Sequence, residues 1–319
     1  MISNICFQKL GNKDCILIQL FMDEFCPVNP LGPATGRNKI MALYFRVLNI
    51  PYDMQVLDNI FLGFLALAND IKHSLQDLLR QLMLPQLIKL RQGVPVFYKG
   101  VKRNIPVILH SAVGDNLGVH QFQGLLQSFR GQCPCRFCTV IFDDLQTTYS
   151  INPEMLKTAA SYDAAVATND TAVMRQHGIN EKCALNEAPL FHFMDSQLCD
   201  IMHDLPEGHL RRLIASVISS IIIDEQISLE RINNAIRTFP FSGTMRNNRP
   251  SPIVQDHLNN GEIKGQTASM MINLTTMLPL ILKLNEITIP ATNGWWITYR
   301  AFLKNLEYLD DAENNSDPD

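Results

Sequence analysis

The stretch Ile16-Leu17-Ile18-Gln19-Leu20-Phe21-Met22-Asp23 decides how this chain folds. It is a short apolar run that ends in acidic residues, and such a run predicts a buried strand with a carboxylate at its C-terminal end. Two further apolar runs, 40–48 and 59–67, follow closely. Their spacing predicts an antiparallel meander rather than strands joined by long helices.

A second strand with the same ending lies further along the chain. The β-rich run Ile105–Val113 leads into Gly114-Asp115-Asn116. Two neighbouring strands that end in Asp23 and Asp115 would place two hard oxygen ligands together, as magnesium-dependent phosphodiester chemistry requires. The plainer interpretation is that each strand ends in aspartate because aspartate is a good turn former. The sequence alone leaves both interpretations open.

The run Cys133-Pro134-Cys135-Arg136-Phe137-Cys138 is the other motif with defined chemistry. Two cysteines separated by two residues can direct both thiolates at one zinc ion, and a distant histidine can complete the site. We expect Cys135, Cys138 and His203 as ligands, with Cys199 and Asp200 beside the histidine as further candidates. Cys133 is either another thiolate ligand or a small buried residue.

Two basic clusters are candidates for phosphate contacts. Lys99, Lys102 and Arg103 form the first, which a solvated hairpin explains equally well. Arg246 and Arg249 lie beside proline-containing turns and form the second.

The remaining pattern is mainly helical. Leucines at helical spacing predict a helix over 70–92, and we also expect helices over 117–129 and 267–284. The apolar run 210–223 is either a helix or a buried strand, and the turn at Glu207-Gly208 before it favours a helix. The last ten residues are rich in acidic groups and predict a solvated, disordered tail.

Composition narrows the class of protein. The 319 residues are 46% hydrophobic and 18% charged, which predicts a sizeable core and excludes wholesale disorder. A net charge of −4 gives no global attraction to nucleic acid, so any DNA binding would rest on local patches. We see no signal peptide and no apolar run long enough to span a membrane, so we expect a soluble intracellular protein without a membrane partner.

Several segments together resemble transposon-encoded animal proteins close to the Kyakuja–Dileera–Zisupton group. The matching segments occur in the same order as in that group and span roughly residues 16 to 284. They are the runs 21–32, Gly114-Asp115-Asn116-Leu117-Gly118, Cys135-Arg136-Phe137-Cys138 and Asp200-Ile201-Met202-His203-Asp204-Leu205-Pro206-Glu207-Gly208. The run 247–250 matches more loosely. The group carries cysteine or aspartate, two residues, and then histidine, which Asp200 and His203 supply here.

This resemblance implies an RNase H-like core in which three carboxylates bind divalent metal for DNA strand cleavage and transfer. Asp23 takes the first position and Asp115 the second. The third position falls on Met270, whose soft thioether cannot ligate magnesium. Glu262 is a candidate substitute, although its spacing does not single it out.

We therefore expect an α/β protein: an RNase H-like mixed sheet of about five strands, with flanking helices and a largely helical insertion. The predicted divisions are core residues 1–130, a zinc-binding-like insertion at 131–260, C-terminal core helices at 261–309 and the tail at 310–319.

The expected function is that of a transposase-derived, catalytically inactive protein that associates weakly with DNA and holds structural zinc. Such a protein would be nuclear when bound to DNA, and the sequence does not indicate its oligomeric state. The chain as read also shows no N-terminal DNA-binding domain of the kind that such transposases carry. The alternative is an active enzyme that uses magnesium or manganese at Asp23, Asp115 and an unidentified third carboxylate.

Overall fold

The structure is a computed structural model that describes residues 14–27, 39–51, 57–71 and 74–314. Contacts divide the chain into two compact units, 1–200 and 201–319. We describe each unit separately.

The first unit is built on a four-stranded mixed sheet with the strand order β3-β2-β1-β6. Its strands are β1 (Ile16–Phe25), β2 (Ile40–Val47), β3 (Ile60–Leu67) and β6 (Val107–Gly114). The pairs β1–β2 and β2–β3 are antiparallel, which confirms the predicted meander, whereas β1 and β6 are parallel. Within the described ranges the sheet has one strand fewer than predicted. The predicted mixed sheet with flanking helices is confirmed.

Strand β1 lies in the middle of this sheet because its apolar residues are buried on both faces. Leu20 and Met22 pack into the main core with Leu43 of β2, and Leu17 packs with Ile108 on the opposite face. Burial of each such side chain stabilises the fold by about 1.5–3 kcal/mol.

The one polar residue in the centre of β1 is satisfied across three strands. The buried Gln19 side chain donates to Ser111 Oγ at 2.8 Å and accepts from Arg46 Nε at 2.9 Å. A one-residue slip of either neighbour would leave these buried groups unpaired, so the network favours the observed register.

Helices flank the sheet. They are α1 (Ala68–Ile71), α2 (Leu75–Leu78), α3 (Leu84–Arg91), α4 (Asn116–Phe122), α5 (Ala159–Ala167) and α6 (Thr171–Gln176), with a π-helical turn (Leu79–Met83) joining α2 to α3. The helical prediction over 70–92 is confirmed in its main part, and its leucines Leu75, Leu79 and Leu87 enter the core.

The predicted helix over 117–129 is wrong beyond Phe122, where α4 ends. Gly124 adopts a φ of +68°, and its carbonyl accepts hydrogen bonds from the N–H groups of Asn180 and Glu181 at 2.9 and 3.0 Å. A Cβ on Gly124 would lie 2.4 Å from the Glu181 carbonyl oxygen. The helix ends because a distant segment occupies the backbone groups that would continue it.

A separate two-stranded hairpin precedes β6. It consists of β4 (Val94–Tyr98) and β5 (Val101–Ile105), which pair in antiparallel fashion.

The second unit is helical. Its helices are α7 (Ile201–Asp204), α8 (Leu210–Asp224), α9 (Leu229–Thr238), α10 (Gln255–Asn259), α11 (Ala268–Leu284) and α12 (Gly294–Asn314), with a π-helical turn (Leu205–His209) between α7 and α8. The predictions of helices over 210–223 and 267–284 are confirmed. Ile214 and Ile218 of α8 pack with Leu278 of α11 in one core.

The predicted tail begins inside a helix, because α12 continues to Asn314. Residues 315–319 lie outside the described part of the chain. In the described ranges, no helix combines the length and apolarity that crossing a bilayer requires.

Candidate functional site

Asp23 and Asp115 lie in one cleft at the C-terminal edge of the first unit's sheet. Strands β1 and β6 are parallel neighbours, and Met22 pairs with Gly114 immediately before the two aspartates. The cleft has a volume of about 180 Å³ and is lined by Met22, Asp23, Glu24, Lys39, Asp115, Leu117, Gly118 and Gln121. The hydrogen-bonded pair Gln19 and Ser111 is 92 positions apart in the sequence, and Asp23 and Asp115 have the same separation. The carboxyl ends of the two strands therefore bring together two carboxylates that are distant in the sequence.

Asp115 has a structural role that its sequence motif explains. It is the N-cap of α4, and its Oδ1 accepts a hydrogen bond from the Gly118 N–H at 2.5 Å. A Cβ on Gly118 would lie 2.9 Å from that Oδ1, so glycine permits the close approach. The cap occupies one carboxylate oxygen, and the second oxygen has no hydrogen bond from the described residues.

Asp23 is exposed and lies two residues before the end of β1. Its Oδ1 accepts a hydrogen bond from the Glu24 N–H at 2.8 Å. Both aspartates thus have one oxygen engaged by backbone N–H groups.

Glu24 is a third carboxylate in the cleft that the sequence reasoning did not select. Its Oε2 lies 3.3 Å from Lys39 Nζ, and both side chains are substantially exposed. Strict alternation along β1 would direct Glu24 and Asp23 to opposite faces, and only the structure shows that both line this cleft. The sequence reasoning also missed Lys39, because this residue is distant in the sequence from both aspartates.

The donor set fits magnesium or manganese. Both ions prefer oxygen ligands, and magnesium keeps several waters when one or two protein carboxylates hold it. Asp23 and Asp115 would hold such an ion, which would act as a Lewis acid on a phosphodiester. Among the side chains that the structure describes, no set of three or more histidine, cysteine, aspartate or glutamate residues is arranged to hold a metal ion.

The two candidates for the third catalytic position lie in the second unit. Met270 is in the first turn of α11, where its N–H donates to the N-cap oxygen Thr267 Oγ1 at 3.3 Å. Glu262 follows α10 and is half-buried, and its N–H donates to the His257 carbonyl oxygen at 2.9 Å.

The three cysteines of the 133–138 loop lie close together. Cys133 and Cys138 are buried, and Cys135 is half-buried. Burial raises the pKa of the Cys138 thiol, and the neighbouring Cys135 and Cys133 side chains raise it further. The loop is fixed by Lys157 Nζ, which donates to the Cys135 carbonyl oxygen at 2.7 Å. Thiolate sulfur is a ligand type that zinc accepts, but these three described cysteines do not form a set that is arranged to hold an ion.

The other predicted zinc ligands are further along the chain. Cys199 is exposed and Asp200 half-buried at the end of the first unit. His203 lies on α7 in the second unit, and its Nε2 is 3.8 Å from Glu207 Oε2. The predicted convergence of His203 on the cysteine loop stays a prediction.

Arg136 connects the cysteine loop to the carboxylate cleft. This side chain is only 4% exposed, and its guanidinium donates to Asn116 Oδ1 at 2.5 Å and to the Leu198 carbonyl oxygen at 3.1 Å. It also stacks on Phe137, with 4.7 Å between Cζ and the ring centroid. Because Asn116 follows Asp115 directly, Arg136 supports the start of α4. The only feature of the sequence that draws attention to Arg136 is its position between the predicted zinc ligands Cys135 and Cys138.

The first basic cluster lies at the other end of β6 from Asp115. Lys99, Lys102 and Arg103 are on the β4–β5 hairpin, which immediately precedes β6. Since β6 has 8 residues, the two ends are about 25 Å apart. Arg103, 3.6 Å from Asp14 at the start of the first strand, is therefore distant from the carboxylate cleft.

The second basic cluster belongs to the second unit. Arg246 is exposed on a 3-10 helix (Gly243–Asn248). Arg249 donates to the carbonyl oxygens of Arg237 and Phe239, both at 3.4 Å, and stacks on Phe241. These contacts give Arg249 a role in holding its own unit together.

No family model matches the sequence, and no curated protein matches it.

Proposed function

We propose that this protein is a transposase-derived, RNase H-like protein that associates with nucleic acid and has lost DNA strand cleavage. The observation that carries the proposal is the position of Asp23 and Asp115, which line one cleft at the carboxyl ends of two parallel strands. Chain segments far apart in sequence supply these carboxylates. The sequence resemblance assigns the same two residues to the first and second catalytic positions.

The lost third ligand supports the absence of cleavage. Strand transfer needs charge neutralisation at both the attacking and leaving oxygens, which a carboxylate-bound metal pair supplies. Met270 offers neither charge nor a hard oxygen. Asp23 and Asp115 would then bind a divalent cation without completing the catalytic arrangement.

Zinc belongs to the same proposal as a structural ion. The proximity of the Cys135 and Cys138 thiols supports it. His203 is the third expected ligand and Cys133 or Cys199 the fourth, and Asp200 lies beside Cys199 as a further candidate. The ion would stabilise the loop that carries Arg136 and, through Asn116, the start of α4. A nuclear location would follow from association with DNA.

A second candidate function is metal-dependent DNA cleavage. The observation that favours it is Glu24, a third carboxylate lining the cleft that holds Asp23 and Asp115. Glu24 would have to leave Lys39 to bind a metal, and their exposed ion pair is weak enough to allow this.

The experiment that tests the proposal is nicking of supercoiled DNA in magnesium or manganese. We expect no nicking by the wild-type chain, and the Met270→Glu variant tests whether the missing carboxylate is the cause. Wild-type nicking that Asp115→Asn abolishes would overturn the proposal in favour of the active enzyme. Loss of that nicking in Glu24→Gln would assign the third carboxylate.

A further inference from the structure

The β4–β5 hairpin is a largely exposed two-stranded arm of the first unit, separate from its four-stranded sheet. Its turn residues Lys99 and Gly100 have φ angles of +49° and +78°, as a two-residue type I′ turn requires. On β5, every residue from Val101 to Asn104 is exposed. An element with so little burial contributes little to the core of its unit.

Phe97 occupies an unusual position on this arm. Its side chain is 73% exposed, more than that of any other exposed phenylalanine in the described ranges. It pairs across the hairpin with Lys102, whose ammonium lies 5.9 Å from the ring centroid. The arm therefore presents an aromatic face and a cation side by side.

The charge of the arm differs from that of the chain. Residues 94–105 contain Lys99, Lys102 and Arg103 and no carboxylate, whereas the whole chain carries a net charge of −4. Arg103 lies 3.6 Å from Asp14, but both side chains are exposed, so solvent and salt screen this pair. Within the described part of the chain, Lys102 has no carboxylate within 4 Å.

We propose that this hairpin binds single-stranded DNA, with Phe97 stacking on a base and Lys102 contacting the adjacent phosphate. Stacking accepts any base because every base has a π-face, and basic side chains follow the backbone. A protein partner would match the exposed Phe97 and Val101, but it would not account for the cation of Lys102 beside the Phe97 ring. The inference rests on the proposed function only for the choice of DNA.

The arm would act at a distance from the carboxylate cleft. The hairpin leads into the start of β6, and the 8 residues of that strand place the base of the hairpin about 25 Å from Asp115. Substitutions on the arm should therefore change DNA binding and leave divalent-cation binding at Asp23 and Asp115 unchanged.

Fluorescence anisotropy with a labelled oligothymidylate tests the proposal on the full chain. Phe97→Ala should weaken binding by about 5- to 150-fold, since stacking contributes about 1–3 kcal/mol per base. Phe97→Trp should retain wild-type affinity, and Lys102→Gln should weaken binding and reduce its salt dependence. Tyr149→Ala is the matched control, because Tyr149 is also highly exposed but lies on a different segment.

Three results would overturn the proposal. They are absence of oligothymidylate binding by the wild type, equal binding by Phe97→Ala and Tyr149→Ala, and a change in oligomeric state in Phe97→Ala without loss of DNA affinity. The last result would identify the arm as a contact between protein chains. If one of these results is obtained but the protein still binds duplex DNA, the hairpin proposal fails and the proposed function stands. Failure of the hairpin proposal can therefore be distinguished from failure of the proposed function.

Discussion

Gly114 lies so close to Met22 of the neighbouring strand that a Cβ on Gly114 would be 2.9 Å from the Met22 carbonyl oxygen. Real Cβ atoms essentially never approach an atom this closely. The glycine thus allows β1 and β6 to meet just before Asp23 and Asp115, and the spacing of the two carboxylates depends on it.

We expect Gly114→Ala to destabilise the protein by about 1–3 kcal/mol, because the added methyl group forces the two strands apart. It should also weaken divalent-cation binding by displacing Asp115. The matched control is Gly294→Ala, since nothing lies within 4 Å of a Cβ at Gly294. Urea unfolding measures the difference in free energy, and equal stabilities of the two variants would contradict the close approach.

The two roles of Asp115 can be separated by substitution. Asp115→Ala removes the side-chain cap of α4 and should cost about 0.5–2 kcal/mol of stability. Asp115→Asn retains a capping oxygen and should keep most of that stability, but it removes the negative charge that a metal ion needs. We expect both variants to lose manganese binding and only Asp115→Ala to lose stability. Manganese binding retained in Asp115→Asn would reduce Asp115 to a helix cap.

Zinc content tests the cysteine loop. We expect Cys138→Ser to release zinc and lower the melting temperature, because it removes one of the adjacent sulfurs. Cys26→Ser is the control, since Cys26 is half-buried and lies outside the predicted ligand set. Native mass spectrometry reads the metal content directly. The zinc prediction fails if Cys138→Ser and wild type carry the same metal content.

Stability should fall at alkaline pH. Burial raises the pKa of the Cys183 thiol from 9.0 to about 12, and burial also raises the pKa of Tyr162. The unfolded chain releases these protons at lower pH than the folded chain, so stability is full below pH 9 and declines as pH rises toward 12. Melting temperatures across this range should decline less steeply in Cys183→Ala than in wild type. Gly294→Ala, where nothing lies within 4 Å of the added Cβ, should follow the wild-type slope. An unchanged slope in Cys183→Ala would show that Cys183 titrates normally.

Much of the fold follows from local pattern. The apolar runs that became β1, β2 and β6 have strand length and clear ends, and α8 and α11 have apolar residues at helical spacing. Predictions from local sequence pattern were wrong where contacts with residues distant in the sequence determine the structure. Helix α4 ends early because the 180–181 segment bonds to the Gly124 carbonyl.

The same distinction applies to the candidate site. Local pattern placed Asp23 and Asp115 at strand ends, and the family resemblance led us to expect them in one site, but only the structure shows that the two strands are parallel neighbours. The position of Glu24 in the cleft was not predictable, since strand alternation predicts the opposite face. The burial of Arg136 was also unpredictable, because it depends on Leu198, 62 positions further on.

The most direct measurement is manganese binding by electron paramagnetic resonance, in the wild type and in Asp23→Asn, Asp115→Asn and Phe97→Ala. If Asp23 and Asp115 form one cation site, the wild type binds manganese and either aspartate substitution lowers the affinity at least tenfold. Phe97→Ala, on the distant hairpin, should bind as the wild type does. Equal manganese affinity in all four proteins would contradict a shared carboxylate site.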